Sequence, residues 1–148
     1  IGYLGTGDRT FDFNYDALQT GRRTVSNMNA DGVLQDRSAK LFRGTIDFQK
    51  GAAGSKGDEK EDVLLLGEDV VNRTIPLILC AEEDVEGNHG ASIGQLDEDI
   101  LFYMNSRGLS RAEAELLITH SKLEALCAKA NDPGLTDRVH RYLEENAQ

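Results

Sequence analysis

The sequence predicts a mainly β chain that ends in a small helical subdomain. Two observations carry this. Over residues 1–95, apolar side chains alternate at a spacing of two between frequent glycines, and from Asp97 onward they step by three and four. The change of period divides the chain into a β core over residues 1–95 and a helical subdomain over residues 96–148.

In the first part, short β-prone runs occur at residues 24–26, 32–34, 40–48, 63–66, 74–80 and 91–93. In residues 41–48 (LFRGTIDF), Phe42, Ile46 and Phe48 share one face with Gly44, while Arg43, Thr45 and Asp47 share the other. That is the pattern of a strand buried on one side. Strand-like segments return every roughly 15–25 residues, a spacing that permits a parallel β-helix. A sandwich or a jelly roll fits equally well. Residues 51–62 (GAAGSKGDEKED) are small, polar and charged, and predict a mobile loop. Gly2, Gly5 and Gly7 read as a turn rather than a nucleotide-binding fingerprint, because no hydrophobic strand precedes them and no helix follows.

In the second part, Asp97 is placed to cap a helix, with Glu98 and Asp99 at the positive end of its dipole. Ile100, Leu101, Tyr103 and Met104 form its apolar stripe, Arg107 sits in its last turn, and Gly108 suits the left-handed residue that ends it. Ser110 and Glu113 form a capping box that opens a second helix. Its expected face is Ala112, Leu116, Thr119 or His120, Leu123, Cys127 and Ala130. Residues 131–134 (NDPG) stop it, and a third helix follows with Leu135, Val139, Tyr142 and Leu143 on one side.

Composition excludes several function classes. The chain of 148 residues carries a formal charge of −10, which phosphate backbones repel, so no nucleic-acid partner is expected. No apolar run approaches the eighteen or so residues of a membrane span. Acidic clusters at residues 58–62, 82–86 and 97–99 read as solvated loops or helix starts. Cys80 and Cys127 read as core residues and as the reduced thiols of a cytoplasmic protein, with a single disulfide as the alternative. The sequence has neither a phosphate-binding GxxxxGK[ST] loop nor a GxSxG nucleophile elbow, and no enzymatic activity is expected. His89, between Asn88 and Gly90, is the remaining polar candidate, since imidazole ligates iron and carries protons near neutral pH.

Several segments, taken in order, resemble the SufB/SufD family of iron–sulfur cluster assembly proteins, and within it the C-terminal region of the SufD branch. They are residues 33–36 (VLQD), 39–46 (AKLFRGTI), 61–67 (EDVLLLG), 76–85 (PLILCAEEDV), 89–97 (HGASIGQLD) and 100–109 (ILFYMNSRGL). The resemblance implies a right-handed parallel β-helix followed by a helical subdomain. It implies a non-enzymatic role in a cytoplasmic complex, pairing with a SufB-type scaffold or with a second copy of itself. It also implies docking of an ABC-type ATPase, SufC, through the C-terminal helices, with Ile100, Leu101, Phe102, Tyr103, Arg107, Gly108 and Leu109 as the contact segment. His89 corresponds to the family's histidine near a transient iron–sulfur cluster at the subunit interface, and Cys80 is a weaker candidate. SufD-type members often carry Cys-Ser ahead of that histidine, where this chain has Gly87 and Asn88. A homodimeric SufB-like scaffold holding the cluster is the alternative, and a β-helical carbohydrate-binding protein is a third reading.

Overall fold

The computed structural model describes residues 1–130, 132 and 134–146. Asn131 and Pro133, half of the expected helix stop, lie outside the described residues. Seven strands precede three helices: β1 (Gly2–Gly5), β2 (Thr10–Gln19), β3 (Val25–Gln35), β4 (Ala39–Phe48), β5 (Ser55–Leu66), β6 (Val71–Cys80), β7 (Val85–Gln95), α1 (Glu98–Ser106), α2 (Arg111–Lys129) and α3 (Leu135–Asn146). Two compact units result. One holds Tyr3–Ile93, and the other begins at Gly94.

Successive strands alternate between two sheets, ordered β1-β3-β5-β7 and β2-β4-β6. The pairs β2–β4, β3–β5 and β4–β6 are parallel. This is a β-solenoid of about three turns, which settles the sequence's open choice against the antiparallel sandwich and jelly roll. Thr10 pairs with Ala39, Val25 with Lys56, and Ala39 with Val71, so each coil takes roughly 30 residues. We number the coils by strand pair: β2–β3, β4–β5 and β6–β7.

The corners explain part of the glycine content. Gly7, Asp36 and Gly67 occupy equivalent corners of consecutive coils, and all three have positive φ, at 60°, 59° and 133°. Glycine takes this conformation without a Cβ clash. Asp36 is one of the few other residue types that tolerates it, and its carboxylate accepts a 2.7 Å hydrogen bond from the Gly7 amide one coil below.

Along β4, the alternate positions Lys40, Phe42, Gly44, Ile46 and Phe48 are buried. The sequence places four of these on one face, and the structure adds Lys40. Tyr3, Leu34 and Val63 form one apolar cluster, with Phe11 and Phe13 packed against it. Ile46, Phe48 and Ala52 form a second, flanked by Met28, Ile78 and Val85.

Three local expectations fail. Residues 51–62 are not a loop, because β5 begins at Ser55 and only residues 51–54 of this stretch belong to the turn. The acidic cluster at 58–62 is not wholly solvated: Glu59 and Glu61 alternate with exposed Lys60 and point into the coil. Gly2–Gly5 is a strand, so only Gly7 of that glycine set serves a turn.

In the helical unit, Asp97 caps α1 by accepting from the Asp99 amide, and Ser110 and Glu113 form the expected capping box on α2. Gly108 has the left-handed φ of 95°. The buried face of α2 is Ala114, Thr119, Leu123 and Cys127, so its first turn is rotated from the expected Ala112 and Leu116. Leu143 is the buried anchor of α3.

Candidate functional site

The two sheets end on β6 and β7, whose outer edges carry no further strand among the described residues. A strand at such a position presents unpaired backbone groups. It also leaves its inward side chains uncovered, since each coil is closed by the next. The third coil therefore exposes residues whose counterparts one coil earlier are buried.

His89 lies in the middle of β7, not in a turn. Gly87 faces inward: a Cβ there would meet Ile78 and Phe48 at 2.9 and 3.2 Å. His89, two residues on, shares that inward face, yet it is exposed. β5 and β7 are sheet neighbours, and the Lys56–Glu86 ion pair at 2.6 Å bridges them. Gly57 on β5 and Gly87 on β7 both face Phe48, and two residues beyond each, Glu59 and His89 are close enough for the imidazole to act on the carboxylate.

Cys80 is exposed rather than a core residue. Its register partner on β4 is Phe48, which is fully buried, so Cys80 holds a core position with no coil above it. The structure does not bring Cys80 and His89 together. Ile78 faces Gly87, and the chain reverses between β6 and β7, so Pro76 falls opposite His89. Cys80 is four positions farther along, roughly 13 Å at the usual strand rise. Among the described residues no group of three or more His, Cys, Asp and Glu is arranged to hold a metal ion. The acidic segment at 82–86 meets its expected fate more closely. The Glu82 carboxylate accepts from the Gly51 amide at 3.0 Å, and Glu86 is exposed and ion-paired.

The interior below His89 is charged, which sequence reasoning missed. Lys40 reaches across from β4 to Glu61 on β5, and Thr74 on β6 donates to the other Glu61 oxygen. The Lys40 ammonium also donates to Thr74 Oγ1 at 3.2 Å and faces the rings of Tyr3 and Phe42. Both members of the ion pair are at most 1 % exposed. Burial pushes the Lys40 pKa down to about 8. Such a pair holds because each charge is met in place, and removing one partner strands the other.

Glu59 has no such arrangement. It is 2 % exposed, and its Oε2 has no hydrogen-bond partner among the described residues. Burial raises its pKa above the usual carboxylate range, and His89 acts in the opposite direction. The carboxylate occupies space that Gly44 leaves open, because a Cβ at Gly44 would lie 2.5 Å from Glu59 Cδ. The available sequence signal was parity: Ser55, Gly57, Glu59, Glu61 and Val63 fall on one face of a strand.

In α1, Ile100, Phe102 and Tyr103 are exposed, Phe102 at 75 %. The Arg107 guanidinium lies 5.2 Å from the Tyr103 ring centroid. Leu101, also in the expected contact set, is buried at 2 % exposure. No helix among the described residues is long and apolar enough to cross a membrane.

The family model described as SUF system FeS cluster assembly, SufBD core domain, matches residues 1–122. The iron-sulfur cluster assembly protein SufD of Bacillus subtilis is 30 % identical over 145 residues, covering 98 % of this chain and 33 % of the relative. SufD of Escherichia coli is 28 % identical over 107 residues, 72 % of this chain and 25 % of the relative. An iron-sulfur cluster assembly SufBD family protein of Mycobacterium bovis is 32 % identical over 121 residues, 80 % of this chain and 14 % of the relative. The chain thus spans a third or less of the length of these relatives. A parallel β-solenoid that carries residues 89–95 (HGASIGQ) on its last strand, and matches the family model over residues 1–122, belongs to the SufBD core-domain family of SUF-system iron–sulfur cluster assembly proteins.

Proposed function

We propose that this chain acts as a SufD-like, non-enzymatic component of a SUF assembly complex. Its third coil pairs with the solenoid of a SufB-type scaffold, and His89 stands at that junction, where a transient iron–sulfur cluster is the cargo. The observation that carries the reading is the uncovered third coil, with His89 inward-facing yet exposed. A second solenoid would satisfy the β6 and β7 edges by the same backbone pairing that joins the coils within the chain. Exposed Ile75, Leu77 and Leu79 on β6 supply apolar area for such a junction.

The α1 segment is the proposed docking site for a SufC-type ATPase. Ile100, Phe102 and Tyr103 offer exposed apolar surface, with Arg107, Gly108 and Leu109 continuing it, and Leu101 is the buried residue of the same helix. An exposed free thiol at Cys80 suits a reducing cytoplasm.

The test is complementation of a strain lacking its SufD-type protein, together with co-purification. His89→Ala is expected to lower cluster-enzyme activity while SufB-type and SufC-type partners still co-purify. Phe102→Ala is expected to weaken SufC capture alone. Full complementation by His89→Ala, with no capture of either partner by the wild type, would sink the proposal. A stable homodimer that reconstitutes a cluster anaerobically without a partner would replace it with the scaffold reading.

A further inference from the structure

We propose that Glu59 and His89 together form a carboxylate–imidazole site for a divalent metal ion of the ferrous-iron class, inside the solenoid between its second and third coils. The inference rests on the reading of His89 given above and adds a ligand to it that the family motif does not contain.

Three observations converge on it. The first is placement: Glu59 and His89 lie on neighbouring strands, each two residues beyond an inward glycine packed against Phe48, and the imidazole is near enough to act on the carboxylate. Side chains on adjacent rungs of one sheet face are separated by about 4.8 Å at the backbone, within reach of a shared ion. The second is an unmet need. β5 carries two inward carboxylates, and Lys40 and Thr74 satisfy Glu61. Glu59 is equally buried, but its Oε2 is without a partner among the described residues. A buried carboxylate in that condition opposes folding unless a cation or donor meets it. The third is reserved space, since Gly44 leaves room for the carboxylate where any other residue would collide with it.

The donor set fits the proposed ion. One carboxylate and one imidazole suit a borderline divalent metal such as iron, whereas hard calcium prefers oxygen ligands alone. His89 is exposed on the uncovered coil, so the remaining coordination positions are open to water, sulfide or a partner's side chains. Two ligands from one chain hold an ion in transit and release it more readily than a closed four-ligand site. Cys80 is too far along the strand to join them.

The chain has three histidines, so its imidazole resonances can be followed individually by NMR. The experiment is an anaerobic titration of the full chain with Co2+ alone, reading paramagnetic shift and broadening of the ring protons. His89 is expected to respond at lower Co2+ than His120 and His140. Glu59→Gln is expected to raise the His89 midpoint at least about tenfold. Its metal-free stability should equal or exceed that of the wild type, because a neutral amide replaces an unpartnered carboxylate. Glu59→Asp keeps the charge but retracts it by one methylene, and should weaken binding as well. Equal midpoints in the wild type and both folded variants would overturn the site, and so would a simultaneous response of all three histidines.

The two levels of inference separate cleanly. If His89→Ala supports full cluster assembly in cells while Glu59→Gln still shifts the Co2+ titration, the site stands and the assembly role falls. If His89→Ala abolishes assembly and the titration ignores Glu59, the role stands and this site falls.

Discussion

The second and third coils place their side chains on the same lattice but in different surroundings. Phe48 and Cys80 are register partners on β4 and β6, and one is buried while the other is exposed. Ile46 pairs with Ile78 in the same way, and only the first is fully enclosed. On the other sheet, Glu59 is enclosed and His89, one rung up, is open. Strand register thus decides which way a side chain points, and the presence of a following coil decides whether it is buried. An inward residue on the last coil is a core residue by orientation and a surface residue by exposure. That combination suits a face built to be covered by another molecule.

The largest expected effects lie in the closed coil. Phe48→Ala should cost about 3–5 kcal/mol, the usual range for removing a buried aromatic ring. Cys80→Ala, at the matching position of the open coil, should stay within about 0.5 kcal/mol. Urea denaturation of the two variants checks the pair, and a large cost for Cys80→Ala would show that the last coil is covered in solution. Lys40→Met should also cost about 3–5 kcal/mol, because it leaves the Glu61 carboxylate buried without its cation. Adding Glu61→Leu should recover most of that loss, since the apolar pair needs no compensation. If the double variant is no more stable than the single, the charged interior contributes more than mutual neutralisation.

The same contrast explains what could be read in the sequence. Caps were legible because they are local: Asp97 with Asp99, and Ser110 with Glu113, meet within one helical turn. The β4 face was legible because its inward residues are mostly apolar. β2 carries an equally plain alternation in Phe11, Phe13, Tyr15 and Ala17, yet none of the β-prone runs read from the sequence includes it. β5 was hidden because residues 58–62 have the composition of a solvated loop. They form a strand by pairing with β3, and Lys40, 21 residues away on the other sheet, neutralises the Glu61 that the strand turns inward. No propensity reports a partner at that distance. Cys80 was misread for the opposite reason, since its strand is apolar and its orientation is inward, but burial depends on a further coil, which none of the described residues supplies. The orientation of His89 followed from neither its motif nor its flanking glycines, and needed the packing of Gly87 against Ile78 to fix it.

Glycine substitutions test the comparison at intermediate scale. Gly44→Ala inserts a methyl group 2.5 Å from the Glu59 carboxyl carbon and should cost about 1–3 kcal/mol, as overpacked interiors do. Gly90, on the open coil's strand, has nothing within 4 Å of a Cβ, so Gly90→Ala should be neutral or stabilising by roughly 0.5 kcal/mol. The Gly44→Ala cost should shrink when Glu59→Ala is added, and a double-mutant cycle measures that coupling. Strictly additive effects would mean that Gly44 serves the backbone rather than the carboxylate.

The smallest effect concerns the ion pair that straps the two coils together on their outside. Lys56 and Glu86 are both exposed, so their pairing contributes little to global stability and acts mainly on the local opening of β7. Lys56 holds the Glu86 carboxyl below its ordinary value of 4.5, and Glu86 holds the Lys56 ammonium above its ordinary 10.5. The sign follows for each group. The Glu86 contribution is fully present above pH 4.5 and disappears as pH falls through the lowered value. The Lys56 contribution is present below pH 10.5 and disappears as pH rises through the raised one. Amide exchange in β7 should therefore be faster in Lys56→Met than in the wild type at neutral pH. The difference should fade on acidification below 4.5 and in about 1 M salt, where screening reaches within a few ångströms. The β4 amides of the closed coil should exchange alike in both proteins under all these conditions. If they quicken together with β7, the third coil is no independent opening unit, and the contrast between the two coils is one of exposure alone.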